Sequence, residues 1–215
     1  MRDAAENAQL ALLLEVSGTP KPGNVDRHRE YDDLRFEQFM AGAVGALSGL
    51  RMAADGTSIG TAFERAIEGM SQQSGGNTQF GALLMLAPLV RAAAMGRLTP
   101  DGATAVVEET TVEDACEFYR AFDHVDVAVD DPPDGIDALD VRRGSGAIET
   151  IREQSLTLSD IMELSAERDG VAAEWMSGFE RSFEAATWLC SDDGPIYRRA
   201  SRAFLRLLAA APDTF

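Results

Sequence analysis

Phe80-Gly81-Ala82-Leu83-Leu84-Met85-Leu86-Ala87-Pro88-Leu89-Val90-Arg91-Ala92-Ala93-Ala94 is the stretch on which the fold turns. Wound as a helix it is apolar on all sides, and such a helix belongs in a protein interior. It falls short of the ~20 residues a bilayer span requires, so that interior is the core of a globular domain. Gly75-Gly76-Asn77-Thr78 breaks the pattern before it. After it, Thr99-Pro100-Asp101 and then Thr111-Val112-Glu113-Asp114 each start a helix with N-cap signals. Upstream, residues 57–70 and 34–53 read as helices. The latter has Phe36, Phe39, Met40, Val44, Leu47 and Leu50 to bury, and Gly42, Ala43, Gly45 and Ala46 to admit a close neighbour. Ala4–Val16 is a further helix, crowding Leu10, Leu12, Leu13, Leu14 and Val16 to one side before Gly18 and two prolines stop it.

Downstream, helical stretches resume near Ile148, over 159–166, over 170–189 and over 196–210. Residues 126–137, with five aspartates and two prolines, read as an exposed connection; the glutamate and glycine spacing of a calcium loop is missing. There is no run of alternating β-branched residues and no repeat of about 30 to 45 residues. The chain is predicted to be all-α, a single-domain multi-helix bundle over residues 1–215 around the apolar helix 80–94. That helix could equally serve an interface, which leaves a homo-oligomer open.

Of 215 residues 45% are apolar, enough for one full core. Acidic residues outnumber basic ones 36 to 19, giving a net charge of -17, and lysine occurs once. Such a composition suits a salt-rich solvent that screens the self-repulsion of an acidic surface. It argues against general nucleic-acid binding, which needs cations against phosphates. No apolar run approaches a membrane span and no basic segment with a long apolar stretch opens the chain, so a cytoplasmic location is expected. Cys116 and Cys190 lack metal-type spacing and are both expected as small buried residues.

The one lysine, Lys21, stands in Thr19-Pro20-Lys21-Pro22-Gly23-Asn24-Val25-Asp26-Arg27-His28. In a chain that otherwise uses arginine, an ammonium between two prolines after a helix points to a chemical need, and the loop is expected to be exposed. Glu15, Asp32 and Asp33 extend this first polar cluster. The second, Gly75-Gly76-Asn77-Thr78-Gln79, could offer backbone N–H groups to a phosphate at a helix start. A capping turn with Asn77 or Thr78 as N-cap explains the same residues. The third comprises Glu163, Glu167, Arg168, Asp169 and Glu174. Glu163 and Glu167, four apart on one helix face, could share a divalent cation with Asp26 or Asp33, or be plain surface charges. His124 ends a helix, where a structural role is expected.

Glu15-Val16, followed by Thr19-Pro20-Lys21-Pro22-Gly23-Asn24-Val25-Asp26, resembles the opening motif of the triphosphoribosyl-dephospho-CoA synthase family, roughly E-V-x-x-(T/S)-P-K-P-G-L-V-D. Asp33, six residues before Phe39, matches that family's next acidic position. Gly76-Asn77-Thr78-Gln79-Phe80-Gly81 resembles its V-N-T-H-K-G motif, and Ala166-Glu167-Arg168-Asp169-Gly170-Val171, more loosely, its G-D-T-N-V segment. The resemblance implies an all-helical transferase that uses ATP and dephospho-CoA, releases adenine and forms the precursor of a prosthetic group of certain acyl carrier proteins. It implies Glu15, Lys21, Asp26 and Asp33 as catalytic residues. Phosphate would be held by Lys21, Pro22, Gly23, Asn24, Arg27, His28, Gly76, Asn77 and Thr78. Magnesium would be held by Asp26, Asp33, Glu167 and Asp169, with base and ligand roles open among these carboxylates.

Gln79 and Phe80 replace the family's His-Lys, and Glu167-Arg168-Asp169-Gly170 stands where Asp-Thr-Asn is usual. Such changes at polar positions bear on substrate choice. A relative with another acceptor, or a helical nucleotide-binding module without catalysis, are the alternatives.

Overall fold

The computed structural model describes residues 2–129 and 137–210. Those residues contain twelve α-helices and two short 3-10 segments, joined by loops, and no strand. The helices are α1 (Ala4–Val16), α2 (Phe36–Gly45), α3 (Leu47–Asp55), α4 (Ile59–Met70), α5 (Phe80–Ala94), α6 (Pro100–Glu108), α7 (Val112–Ala121), α8 (Ile148–Gln154), α9 (Leu158–Ser165), α10 (Gly170–Met176), α11 (Glu180–Ser191) and α12 (Ile196–Ala210). None of them is long and apolar enough to cross a membrane. The all-α expectation holds. The aspartate-rich connection expected over 126–137 lies largely outside the described residues.

Caps place several starts where the sequence puts them. Asp3 and Glu6 form a capping box on α1, the Thr99 hydroxyl accepts from Gly102 N–H on α6, and Thr111 and Asp114 box α7. α5 packs against α1, α3, α4, α6 and α10, burying Leu83, Leu84, Ala87 and Val90. The apolar helix is therefore covered within this chain, and its composition requires no partner subunit.

α4 packs closely on α3 and α7 and also meets α2. Glycine makes that crossing possible: a Cβ on Gly45 would stand 2.0 Å from the Gly69 carbonyl oxygen, and one on Gly69 would stand 2.2 Å from that of Gly45. The amino ends of α4 and α7 are joined by buried Asp114. Its Oδ1 accepts from Gly60 N–H at 2.7 Å, while its Oδ2 accepts from the N–H and hydroxyl of Thr111. About one turn further along both helices Glu64 lies by Glu117 and by His124, whose Nε2 is 3.4 Å from the Glu64 Oε1. Burial, then the hydrogen bond and charge of Glu117, push the Glu64 carboxyl up to about 7 against the opposing pull of His124.

Three expectations are corrected. The helix expected over 34–53 is two, α2 and α3, meeting at Ala46. The helix expected over 170–189 is also two, because Gly178 and Phe179 both take left-handed backbone angles, φ 69° and 63°. The break is stabilised by Glu174, a buried carboxylate that accepts from the N–H groups of Arg181 and Ser182 and from the Ser182 hydroxyl, so it caps α11 from α10. Cys116 is buried as expected, but Cys190 is exposed on α11.

Candidate active site

The loop between α1 and α2 is tied at nearly every polar group near Lys21. Lys21 N–H donates to Asp26 Oδ2 at 3.1 Å, Asn24 N–H donates to the Lys21 carbonyl at 3.0 Å, and His28 N–H donates to Asp26 Oδ1 at 2.8 Å. Asp26 and Arg29 exchange backbone hydrogen bonds, which closes the loop. Gly23 turns the chain at φ 85°, a conformation that favours glycine, and its carbonyl accepts from the Tyr31 hydroxyl at 2.8 Å.

Lys21 corrects the expectation of an exposed side chain: it is only 4% exposed. Its ammonium is ion-paired with the carboxylate of Glu15, whose side chain is 54% exposed. The buried cation therefore lies directly beneath an open carboxylate. The reason is local: Glu15 is in the last turn of α1, six residues before Lys21, and the closed loop folds the lysine back under that turn.

Asp26 is buried with both carboxylate oxygens engaged. Burial pushes its carboxyl up. The N–H groups of His28 and Lys21, the Thr19 hydroxyl and the charge of His28 together outweigh that and hold it below the usual value of 3.8. Arg27, His28 and Arg29 are exposed around the loop, with the Arg27 guanidinium 5.9 Å from the centre of the Phe36 ring on α2. Pro22 and Gly23 are exposed and Asn24 half-buried at its tip. Asp33 is exposed in the stretch leading to α2.

The second motif behaves differently. Asn77 Oδ1 accepts from Phe80 N–H at 3.0 Å, which makes Asn77 a cap at the start of α5. Gly76 is exposed at φ 62° and Thr78 is buried beside Gly42 of α2. Gln79 and Phe80, the departures from the family pattern, both point inward. Phe80 packs in an aromatic cluster, its ring edge-to-face with Phe63 at 5.1 Å between centres and tilted against Phe122 at 4.6 Å. A lysine at this position would have its ammonium in the core. Here position 80 is a packing position.

The third cluster is dispersed. α9 ends at Ser165, so Glu163 and Glu167 do not share a helix face, and both are exposed. Asp169 Oδ1 accepts from Ala172 N–H at 2.7 Å as the cap of α10. Among the described residues no group of three or more His, Cys, Asp or Glu could hold a metal ion, so Asp26, Asp33, Glu167 and Asp169 do not form a cage.

One residue of this neighbourhood escapes any motif: Ser201 of α12, whose hydroxyl donates to the Pro20 carbonyl across 181 residues of chain. No sequence signal marks it.

The chain resembles known proteins over most of its length. The crystal structure of a protein from Archaeoglobus fulgidus assigned as a triphosphoribosyl-dephospho-CoA synthase superposes with a TM-score of 0.64 at 26% identity, over 83% of this chain and 73% of that one. No curated protein matches it. The model of the ATP:dephospho-CoA triphosphoribosyl transferase family matches residues 1–215, and the chain belongs to that family.

Proposed function

We propose that the loop closed around Lys21 is the reaction centre of a transferase that moves the 5-triphosphoribosyl group of ATP to dephospho-CoA and releases adenine. The family match over the whole chain supports the reaction. The observation that carries the site is the single lysine, buried in a tied loop with its ammonium against the half-open carboxylate of Glu15.

The chemistry breaks the bond between ribose C1 and adenine, whose nitrogen keeps the electron pair and takes up one proton, and forms a bond from C1 to an acceptor hydroxyl oxygen, which gives one proton up. C1 becomes cationic on the way, a carboxylate must take the hydroxyl proton, and cations must hold the triphosphate. In this reading a phosphate oxygen takes the place of Glu15 at the Lys21 ammonium. The displaced Glu15 carboxylate is then free to accept the proton. Arg27 and Arg29 add positive charge on the outside of the loop in a chain of net charge -17, with the His28 imidazole between them. Asp26, with both oxygens occupied and its carboxyl held low, acts as the anchor that shapes the loop.

The four carboxylates expected to hold magnesium do not fit a protein-built site. Magnesium commonly arrives on substrate phosphates and needs only one or two carboxylates. Exposed Asp33 is the candidate carboxylate. ATP and dephospho-CoA as substrates support a cytoplasmic location.

Incubation with ATP, magnesium and dephospho-CoA should release free adenine only when the acceptor is present. Lys21→Ala should release none. A wild-type protein that yields no adenine removes the activity, and full release from the variant removes Lys21 from the centre.

A further inference from the structure

Lys21 is held from a direction the loop itself cannot supply. α12 lies against the end of α1: a Cβ added at Gly18 would meet Ala200 Cβ at 3.4 Å and the Tyr197 carbonyl oxygen at 3.7 Å. From this helix Ser201, 4% exposed, donates its hydroxyl to the Pro20 carbonyl. The same peptide unit is held at its other polar end, where Lys21 N–H donates to Asp26 Oδ2. A peptide group is planar, so fixing both its oxygen and its N–H fixes the plane from which the Lys21 side chain departs.

The bond is unusual within the molecule. Ser17, Ser71, Ser177 and Ser191 each turn the hydroxyl to a carbonyl three or four residues back. That is the local habit of serine in and after helices. Ser201 instead reaches out of its helix, and it is the buried residue of α12.

We propose that Ser201 is a positioning residue for the transfer reaction, fixing the Pro20–Lys21 peptide so that the Lys21 ammonium meets the triphosphate in register. This rests on the assignment of Lys21 to the reaction centre. Small displacements of a positioned group are costly in rate: about 1 Å can mean ~100-fold.

The test measures kcat, the KM for each substrate and the melting temperature of the full chain carrying Ser201→Ala, Ser201→Cys or Lys21→Ala. Ser201→Ala should lower kcat by ~10- to 100-fold, leave the KM for dephospho-CoA within about twofold and barely move the melting temperature. Ser201→Cys keeps the volume but donates weakly, so it should fall with Ser201→Ala. Wild-type kcat in Ser201→Cys would show that filled space, not the hydrogen bond, is what counts, and would overturn the proposal. So would wild-type kinetics in Ser201→Ala, or a kcat that returns on cooling well below the variant's melting temperature. Lys21→Ala separates the two assignments. If it remains active, the Lys21 centre fails and the role of Ser201 with it; if it is inactive while Ser201→Ala turns over normally, only Ser201 fails.

Discussion

The two loops that lead into α2 and α5 carry the two clearest polar motifs of the chain, yet they are held in opposite ways. Around Lys21, partners are shared out to the ammonium, the flanking peptide groups and both oxygens of Asp26. At the start of α5 Asn77 caps the helix, while the inward side chains rest on the apolar packing of Phe80. Thr78 Oγ1 and both polar atoms of the Gln79 amide are buried without a hydrogen-bond partner among the described residues. The first loop is held by a dense set of hydrogen bonds. The second rests on its cap and its hydrophobic neighbour, and it carries its polar groups inward at a cost.

The largest expected effect strikes the first loop. Lys21→Met should lower adenine release at least a thousandfold, ~4 kcal/mol in barrier. Because methionine retains part of the buried stem, its urea midpoint should remain nearer wild type than that of Lys21→Ala. An active Lys21→Met enzyme would place the chemistry elsewhere. Phe80→Lys, which restores the family's residue, tests the second loop. Loss of the aromatic contacts and burial of an ammonium should cost about 3–4 kcal/mol in urea unfolding. A stability near wild type would mean that the position opens to solvent.

Asp26→Asn places a donor against a backbone N–H and should cost about 2 kcal/mol at neutral pH. The wild-type carboxyl, held below 3.8 in the fold, contributes stability that is present above that value and lost as pH falls through the lower folded value. Unfolding curves from pH 7 to pH 2 should show a shallower acid limb in Asp26→Asn than in the wild type, because Glu113, Asp140, Asp160 and Asp192 are also held low and keep their share. Glu64 titrates with the opposite sign. Its folded value is raised from 4.5 to about 7, so the stability it contributes is full below 4.5 and lost as pH rises through about 7. Glu64→Gln should flatten that neutral limb and leave the acid limb alone; the same slope in both proteins would assign it elsewhere. The smallest effect belongs to Gln79→Met, which removes an unpartnered amide at similar length and should raise stability by up to ~1 kcal/mol. A clear loss instead would mean that the amide has a partner in solution.

Much of the fold was legible because helix starts are written locally. Thr99 with Pro100, and Thr111 with Asp114, announce α6 and α7 in three or four residues. Breaks without such marks were not legible. Ala46 is an ordinary helix former, and the split at Gly178 and Phe179 depends on Glu174 reaching forward to cap α11. At the candidate site, the residue types and the family were readable, while the burial of Lys21 was not. It depends on how the loop folds back under Glu15 and on α12, which no local pattern connects to Pro20. Position 80 shows the same limit, since a core role for Phe80 becomes visible only with Phe63 and Phe122 beside it.

The bond from Ser201 to Pro20 also has a consequence in time. Its two ends are 181 residues apart, and at ~5–20 residues per second a ribosome needs about 10 to 40 seconds to make that interval. Throughout that time the lysine loop exists without its clasp. The lysine loop, made well before α12, is thus locked only when that helix folds back to meet it.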